Sequence, residues 1–182
     1  AFENFAMRPY RYNSNEIVEW IDLDDYLLFY WVHEYSKNED GNFARSVHFT
    51  WKKGEPIHFG PLWDFDLAFG NASREQNKAP EEWYIRRYRL NYYILQNSLV
   101  DSAAVVYWKE HRETFKALID SVPLYRSIID KAIENEYRRW PVMKNTENWA
   151  LKDPYDSYDE AVETMIEWMK QRYQWIDKEI GY

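Results

Sequence analysis

The sequence predicts an α+β fold, mostly α, with one small antiparallel β-hairpin followed by a helical bundle. Three observations lead there. Apolar side chains recur at helical spacing over residues 22–37, and from residue 81 onward the chain again reads as helices. Between these stretches, SVHFTWK (46–52) and PIHFGPLW (56–63) flank the turn KKGE and read as two short strands. The 182 residues are 46% hydrophobic and 19% aromatic, enough to bury a core despite 30% charged residues, and they fit a single domain over 1–182.

Taken in order, residues 1–15 are polar and aromatic and form an irregular lead-in. Asp22 is placed to N-cap a helix running to about Lys37, with Leu23, Tyr26, Leu27, Tyr30, Trp31 and Glu34 near helical spacing. NEDG (38–41) is a turn signal. In the first strand, Val47, Phe49 and Trp51 share one face. Residues 72–80 are polar, end in Pro80 and form a loop. Helices are then expected over about 81–98, from an Asp101 cap to about Ser121, and from Pro123 to just before Pro141. A loop with Pro and Asn covers 141–156. The last helix runs from about Ser157 to Ile180 and stops at Gly181, with an apolar stripe through Ala161, Met165, Trp168, Met169, Arg172, Trp175 and Ile176.

Composition narrows the function. The net charge of −8 argues against a nucleic-acid backbone as the main partner, which demands clustered Lys and Arg. Arg86, Arg87 and Arg89, with Glu81 and Glu82 nearby, read as a solvated helix face. With no cysteine, disulfides, thiolate zinc sites and a cysteine nucleophile are excluded. No run of about 18 apolar residues would span a membrane. The five glycines cannot be written as a GxGxxG or Walker loop. Beginning at Ala1 with no signal peptide, the chain reads as an excised or processed piece.

The segment GPLWDFDLAFGN (60–71) places Asp64 and Asp66 one residue apart among large apolar side chains. On an extended segment both carboxylates project to one side while Trp63 and Phe65 anchor the other. Two close like charges are costly unless a cation or proton lies between them, and Mg²⁺ is often held by one or two carboxylates plus substrate phosphates. The alternative is that one aspartate caps the LAFGN turn and the other accepts backbone hydrogen bonds. Asp40, in the NEDG turn, is a third candidate, because a hairpin can bring its entry and exit into one cleft. There its carboxylate would accept the proton of an attacking hydroxyl; otherwise it is a solvent-exposed turn residue. His48 and His58 lie on the two strands, but their spacing matches no known ligand pattern, and packed or surface roles suit them.

The run HEYSKNED, then HFTWKKGEPIHF, then GPLWDFDLAFGN resembles the CotH kinase family, named for a spore-coat protein and found widely among exported bacterial proteins. WKEHRETF (108–115) and RYQWID (172–177) fit the same pattern, though residues 33–71 carry its specific part. The resemblance implies the C-terminal lobe of an atypical protein kinase fold, with the N-terminal nucleotide lobe expected to be absent from this chain. It implies Asp40 as the catalytic aspartate, Asp64 as the metal-binding aspartate of a DFG-like motif, and Asp66 as a second metal-site residue. The implied cofactors are Mg²⁺ or Mn²⁺ with ATP. The implied reaction transfers the γ-phosphoryl group to a Ser or Thr hydroxyl of a protein substrate, a chemistry of positioning and charge neutralisation. It further implies an extracellular, cell-surface or periplasmic location.

Two departures bear on this. A kinase places an Asn a few residues after the catalytic aspartate for a second metal; here GNFARS follows Asp40, with Arg45 and Ser46 near that place. The phosphate-gripping lysine and adenine-covering sheet of an N-terminal lobe are not recognisable, so the chain alone is expected to be inactive or nearly so. The competing class is an exported binding module that has lost the chemistry and holds a glycan or surface protein through its rings. A sugar-cleaving carboxylate pair is a weaker third idea.

Overall fold

The computed structural model describes residues 2–7, 15–43, 45–140, 143 and 153–181. In order these form α1 (Phe2–Ala6), α2 (Ile17–Trp20), α3 (Leu23–Ser36), β1 (Phe49–Thr50), β2 (His58–Phe59), α4 (Glu75–Lys78), a 3-10 turn (Ile85–Arg87), α5 (Arg89–Ile94), α6 (Ser98–Ile128), α7 (Asp130–Arg139) and α8 (Tyr158–Ile180). The mostly helical α+β class is therefore as expected. The chain forms two compact units: residues 1–65 with 82–110, and residues 66–81 with 111–182.

In the first unit α3 is the central element. Asp22 caps it through Oδ1, which accepts from Asp25 N at 3.1 Å. The helix buries Tyr26, Leu27, Phe29, Tyr30, Trp31, His33, Glu34 and Tyr35, so it is covered on nearly all sides rather than along one stripe. Its large rings carry polar atoms that need partners. Trp31 Nε1 donates to Ala104 O at 2.9 Å, and its ring lies 4.8 Å from Trp108; Tyr26 Oη donates to Asn91 Oδ1 at 3.0 Å.

The hairpin is antiparallel, as expected, with Phe49 opposite Phe59 and Thr50 opposite His58. Its strands are only two residues long. They dock on α3 through Phe59, which lies 5.2 Å from Tyr26 and 5.5 Å from Phe29. A parallel bridge between Ile21 and Ile57 adds backbone bonds from Asp22 N to Ile57 O and from Ile57 N to Trp20 O.

The helix expected over 81–98 does not form. Glu34, fully buried, accepts Tyr84 N at 2.8 Å with one carboxylate oxygen and Arg86 N at 2.9 Å with the other. These bonds satisfy two backbone donors outside any helix, and positive φ at Glu82 (71°) and Arg89 (49°) interrupts the helical path. Arg86 is accordingly no solvated residue: it pairs with Asp101 and lies 4.9 Å over Trp83. Arg87 does pair at the surface, with Glu82. The next helix starts earlier than expected, because Asn97 rather than Asp101 supplies the cap, accepting from Leu99 N at 3.0 Å.

In the second unit the break expected between Ser121 and Pro123 is absent; α6 runs through Pro123 to Ile128. Proline there removes only its own bond to the carbonyl four residues back, and the Ser121 hydroxyl donates to Leu118 O nearby. α8 follows the sequence closely, with Ser157 capping Glu160 N and Gly181 at φ 75° ending it. Its buried face is Trp168, Met169, Arg172, Tyr173 and Ile176. Trp168 Nε1 donates to Lys78 O at 2.6 Å, Arg172 Nη1 donates to Pro80 O at 2.8 Å, and Arg112 pairs with Asp177 to join α6 to α8. The loop expected over 141–156 and most of the lead-in lie outside the described residues.

Because the buried Glu34 carboxylate serves two backbone N–H groups, Glu34→Ala should lower the unfolding free energy by at least about 3 kcal/mol in urea denaturation, and Glu34→Gln, which keeps one acceptor oxygen, by roughly half of that.

Candidate functional site

α3 ends in a Schellman arrangement. Lys37 adopts a left-handed conformation (φ 46°), Asn38 N donates to His33 O at 3.2 Å, and Lys37 N donates to Glu34 O at 3.2 Å. The helix end therefore delivers the chain into the turn 38–41, closed by Gly41 N to Asn38 O at 3.1 Å. Every residue around Asp40 in this turn is held. The Asp40 N–H donates to Asn38 Oδ1 at 3.1 Å. Asn42 Nδ2 donates to Tyr84 Oη at 2.9 Å, and Tyr84 Oη donates to Glu39 O at 3.1 Å. The Asp40 carboxylate itself is half-buried and accepts no hydrogen bond or ion pair among the described residues.

The same Asn38 side chain reaches the second acidic segment. Its Nδ2 donates to Asp64 O at 2.9 Å, across 26 residues of sequence, and Asn38 is fully buried. One carboxamide thus bonds the backbone of both Asp40 and Asp64. Asp64 is exposed, and its Oδ2 accepts the Ser46 hydroxyl at 2.6 Å, leaving Oδ1 without a partner among the described residues. A carboxylate oxygen with a hydroxyl beside it is a donor set that suits a hard divalent cation. The backbone here is unusual: Phe43 (φ 62°), Ser46 (φ 48°) and Asp64 (φ 63°) all sit in the left-handed region.

That conformation corrects one premise of the sequence reading. WDFD is not extended at Asp64, so alternation does not set the relative direction of Asp64 and Asp66. Asp64 is instead fixed from both sides, by Asn38 on its carbonyl and Ser46 on its carboxylate. Asp66 opens the second compact unit; its carbonyl accepts Asn71 Nδ2 at 2.6 Å and its Oδ2 is buried.

Phe65, between them, stacks on His33 with ring centroids 5.1 Å apart and planes 10° apart. His33 is 1% exposed, and burial pushes its pKa down from 6.5 to about 4, so the ring is neutral at pH 7. A Cβ on Gly41 would stand 2.1 Å from His33 Nδ1; this turn approaches the ring as only glycine allows.

The histidines of the hairpin do not face each other. His48 packs 5.2 Å from Trp63, while His58 Nδ1 lies 2.7 Å from Asp25 Oδ2 and 3.4 Å from Asp22 Oδ2. Those three residues offer ligand atoms within 4.8 Å of one another, and together they fasten β2 to the start of α3.

A family model described as CotH kinase protein matches residues 3–176, nearly the whole chain. The chain belongs to the CotH kinase family. No curated protein and no solved structure matched. In this CotH kinase chain, the residues that sequence reasoning missed are Asn38, Tyr84 and His33. The asparagine two positions before Asp40 was a visible Asx-turn signal, but its bond to Asp64 had no local sign. Ser46, noted as standing where a kinase carries Asn, is brought onto Asp64.

Two outcomes follow. Asn38→Ala removes an acceptor from Asp40 N and a donor from Asp64 O, and should cost about 2–3 kcal/mol in chemical denaturation. His33 gives a pH dependence with a definite sign. Between about pH 6.5 and 4 the unfolded chain binds the proton that the folded chain refuses, so stability falls as pH drops through that window, by about 3 kcal/mol in total from this group. Urea midpoints compared for wild type and His33→Phe at pH 7.5 and 4.5 should show the smaller drop in the variant.

Proposed function

We propose that this chain carries the acid/base and metal-binding part of an ATP-dependent protein kinase site, with Asp40 as the catalytic aspartate and Asp64 as the metal ligand. The observation that carries this reading is the Asn38 carboxamide: it bonds the backbone of both aspartates, while among the described residues the Asp40 carboxylate and Asp64 Oδ1 have no partner. A turn whose every residue is bonded, with one carboxylate left over, is what orienting a hydroxyl requires.

In the proposed reaction, a Ser or Thr hydroxyl oxygen of a protein substrate bonds to the γ-phosphorus of ATP, and the bond from that phosphorus to the β–γ bridging oxygen breaks. The hydroxyl proton passes to the Asp40 carboxylate, and ADP leaves. Mg²⁺ or Mn²⁺, when bound, supplies charge neutralisation to the phosphate oxygens. Asp64 Oδ1 and the Ser46 hydroxyl are the oxygens placed to hold it, with Asp66 as a further acidic residue of the same motif. One hydroxyl at residue 46 in place of a kinase asparagine favours a single metal. The nucleotide lobe is not recognisable in the sequence, so the chain alone is proposed to transfer little or no phosphate. Export to the cell surface or periplasm, and a coat or surface protein as substrate, belong to the same proposal.

The second reading, an exported module that binds a glycan or surface protein, draws on the exposed rings of Phe49, Trp51 and Trp63, which are 55%, 61% and 51% accessible.

Calorimetric titration of Mn²⁺, with and without ATP, separates the two. On the kinase reading, metal affinity rises with ATP present and falls at least about 10-fold in Asp64→Ala. Asp40→Asn should leave that affinity within about 3-fold while lowering phosphoryl transfer by the full-length protein about 10²–10⁴-fold. Metal binding indifferent to both ATP and Asp64 would leave the binding module as the better account.

A further inference from the structure

We propose that His33 is a positioning residue for this site: its imidazole holds the Asp40–Gly41 turn in register with the Phe65–Asp64 segment. The inference rests on the phosphotransferase reading of Asp40 and Asp64.

His33 lies inside an aromatic cluster, with Phe29 at 4.4 Å and Phe65 at 5.1 Å, and it is 1% exposed. Its Nδ1 is buried and makes no hydrogen bond among the described residues. A polar atom left unsatisfied in the interior destabilises, so a ring nitrogen here needs a reason beyond filling space. The ring is therefore poorly explained as core filler.

Its two surfaces explain it better. The face is stacked on Phe65, the residue next to Asp64, with planes 10° apart. The edge is set against Gly41, the residue next to Asp40. An added Cβ there would lie 2.1 Å from Nδ1, 2.6 Å from Cγ and 2.8 Å from Cε1. The Gly41 α-carbon hydrogen thus points at Nδ1. A bare nitrogen tolerates that approach, as a weak C–H acceptor. A ring C–H or an N–H at the same place would meet the turn head-on. Burial keeps the imidazole neutral at pH 7, which suits a bare Nδ1. This contact joins the two aspartate segments independently of Asn38, through ring face and ring edge rather than through hydrogen bonds. Because a shift of about 1 Å in a reacting group can cost about 100-fold in rate, such a spacer acts on chemistry without touching substrate.

The test uses His33→Phe, which keeps the stacked face and puts a C–H where Nδ1 stands. Amide NMR spectra and Mn²⁺·ATP titrations are recorded on the chain, alongside thermal unfolding. The expected result is a folded variant in which the Gly41 and Asp64 amide resonances move together, while those of α8 stay in place, and Mn²⁺·ATP affinity falls at least about 10-fold. Should His33→Phe fail to fold, His33→Asn takes its place. It keeps an acceptor near Nδ1 but has no ring face, so the Asp64 resonance should move while Gly41 stays, again with weaker Mn²⁺·ATP binding. A folded variant with altered stability but unchanged Gly41 and Asp64 resonances and unchanged affinity overturns the proposal and leaves His33 a packing residue. If wild type itself does not bind Mn²⁺·ATP, the phosphotransferase reading fails, and the positioning role fails with it. If wild type binds and the variant binds equally, only the positioning role fails.

Discussion

A single buried carboxamide, that of Asn38, fixes the relation between the two acidic segments. Its oxygen accepts a hydrogen bond from the Asp40 N–H and its nitrogen donates one to the Asp64 carbonyl. Losing one of these bonds would leave a backbone polar group to be resatisfied, so the arrangement is costly to leave half-made. Asn38 stands where it does because α3 stops at Ser36, and Lys37 turns left-handed to close the helix. The helix stops in a fixed place because its rings are packed all round, with Trp31 bonded to Ala104 and Tyr26 to Asn91. Core, helix end and site are therefore one chain of cause.

The Asp40 turn has a second support that begins in the same helix. Glu34 gathers the N–H groups of Tyr84 and Arg86, which places the Tyr84 ring, and the Tyr84 hydroxyl then holds Glu39 and Asn42 on either side of Asp40. A buried carboxylate that serves two backbone donors is a strong organiser, since charged acceptors make the stronger hydrogen bonds. With both flanks of the turn held in this way, the Asp40 carboxylate makes no hydrogen bond or ion pair among the described residues. Phe43, Ser46 and Asp64 adopt left-handed backbone in the same region, a conformation that costs of order 1–3 kcal/mol for a bulky residue and less for aspartate.

Local chemistry was legible and distant pairing was not. The Asp22 cap of α3, the KKGE hairpin, the Ser157 cap and the Gly181 stop are all features of short segments, and the structure keeps them. The helix expected over 81–98 was lost to Glu34, 50 residues away from the N–H it captures. Asp101 looked like a cap but is used by Arg86, while Asn97 caps in its stead. At the site, Asp40 and Asp64 stood out as acidic residues in unusual company. What joins them did not stand out, because Asn38 reads locally as a turn residue and His33 as a core ring. The left-handed Asp64 was hidden for a related reason: aspartate tolerates that conformation without any glycine to announce it.

Ser46 bears on the metal count of the proposed site. A kinase asparagine offers a carbonyl oxygen as ligand and an amide to hold a neighbouring carboxylate, so it can serve a second ion. A serine hydroxyl has one proton and two lone pairs. Here that proton is spent on Asp64 Oδ2 at 2.6 Å, which leaves the lone pairs beside the same carboxylate. The ligand set so formed is compact and carries one negative charge from Asp64. Bringing a second dication to the same two groups would leave most of its charge to be met by the nucleotide phosphates. Phosphoryl transfer needs charge neutralised where it develops, and an ion held by Asp64 and Ser46 would supply that neutralisation on the proposed reading. On that reading the acceptor side would be left to Asp40, whose turn is held by hydrogen bonds and whose carboxylate has no partner among the described residues. On the proposed reading, the burden of orienting the hydroxyl would fall on the protein rather than on a second metal, and a turn around Asp40 that is bonded at every residue is compatible with that demand.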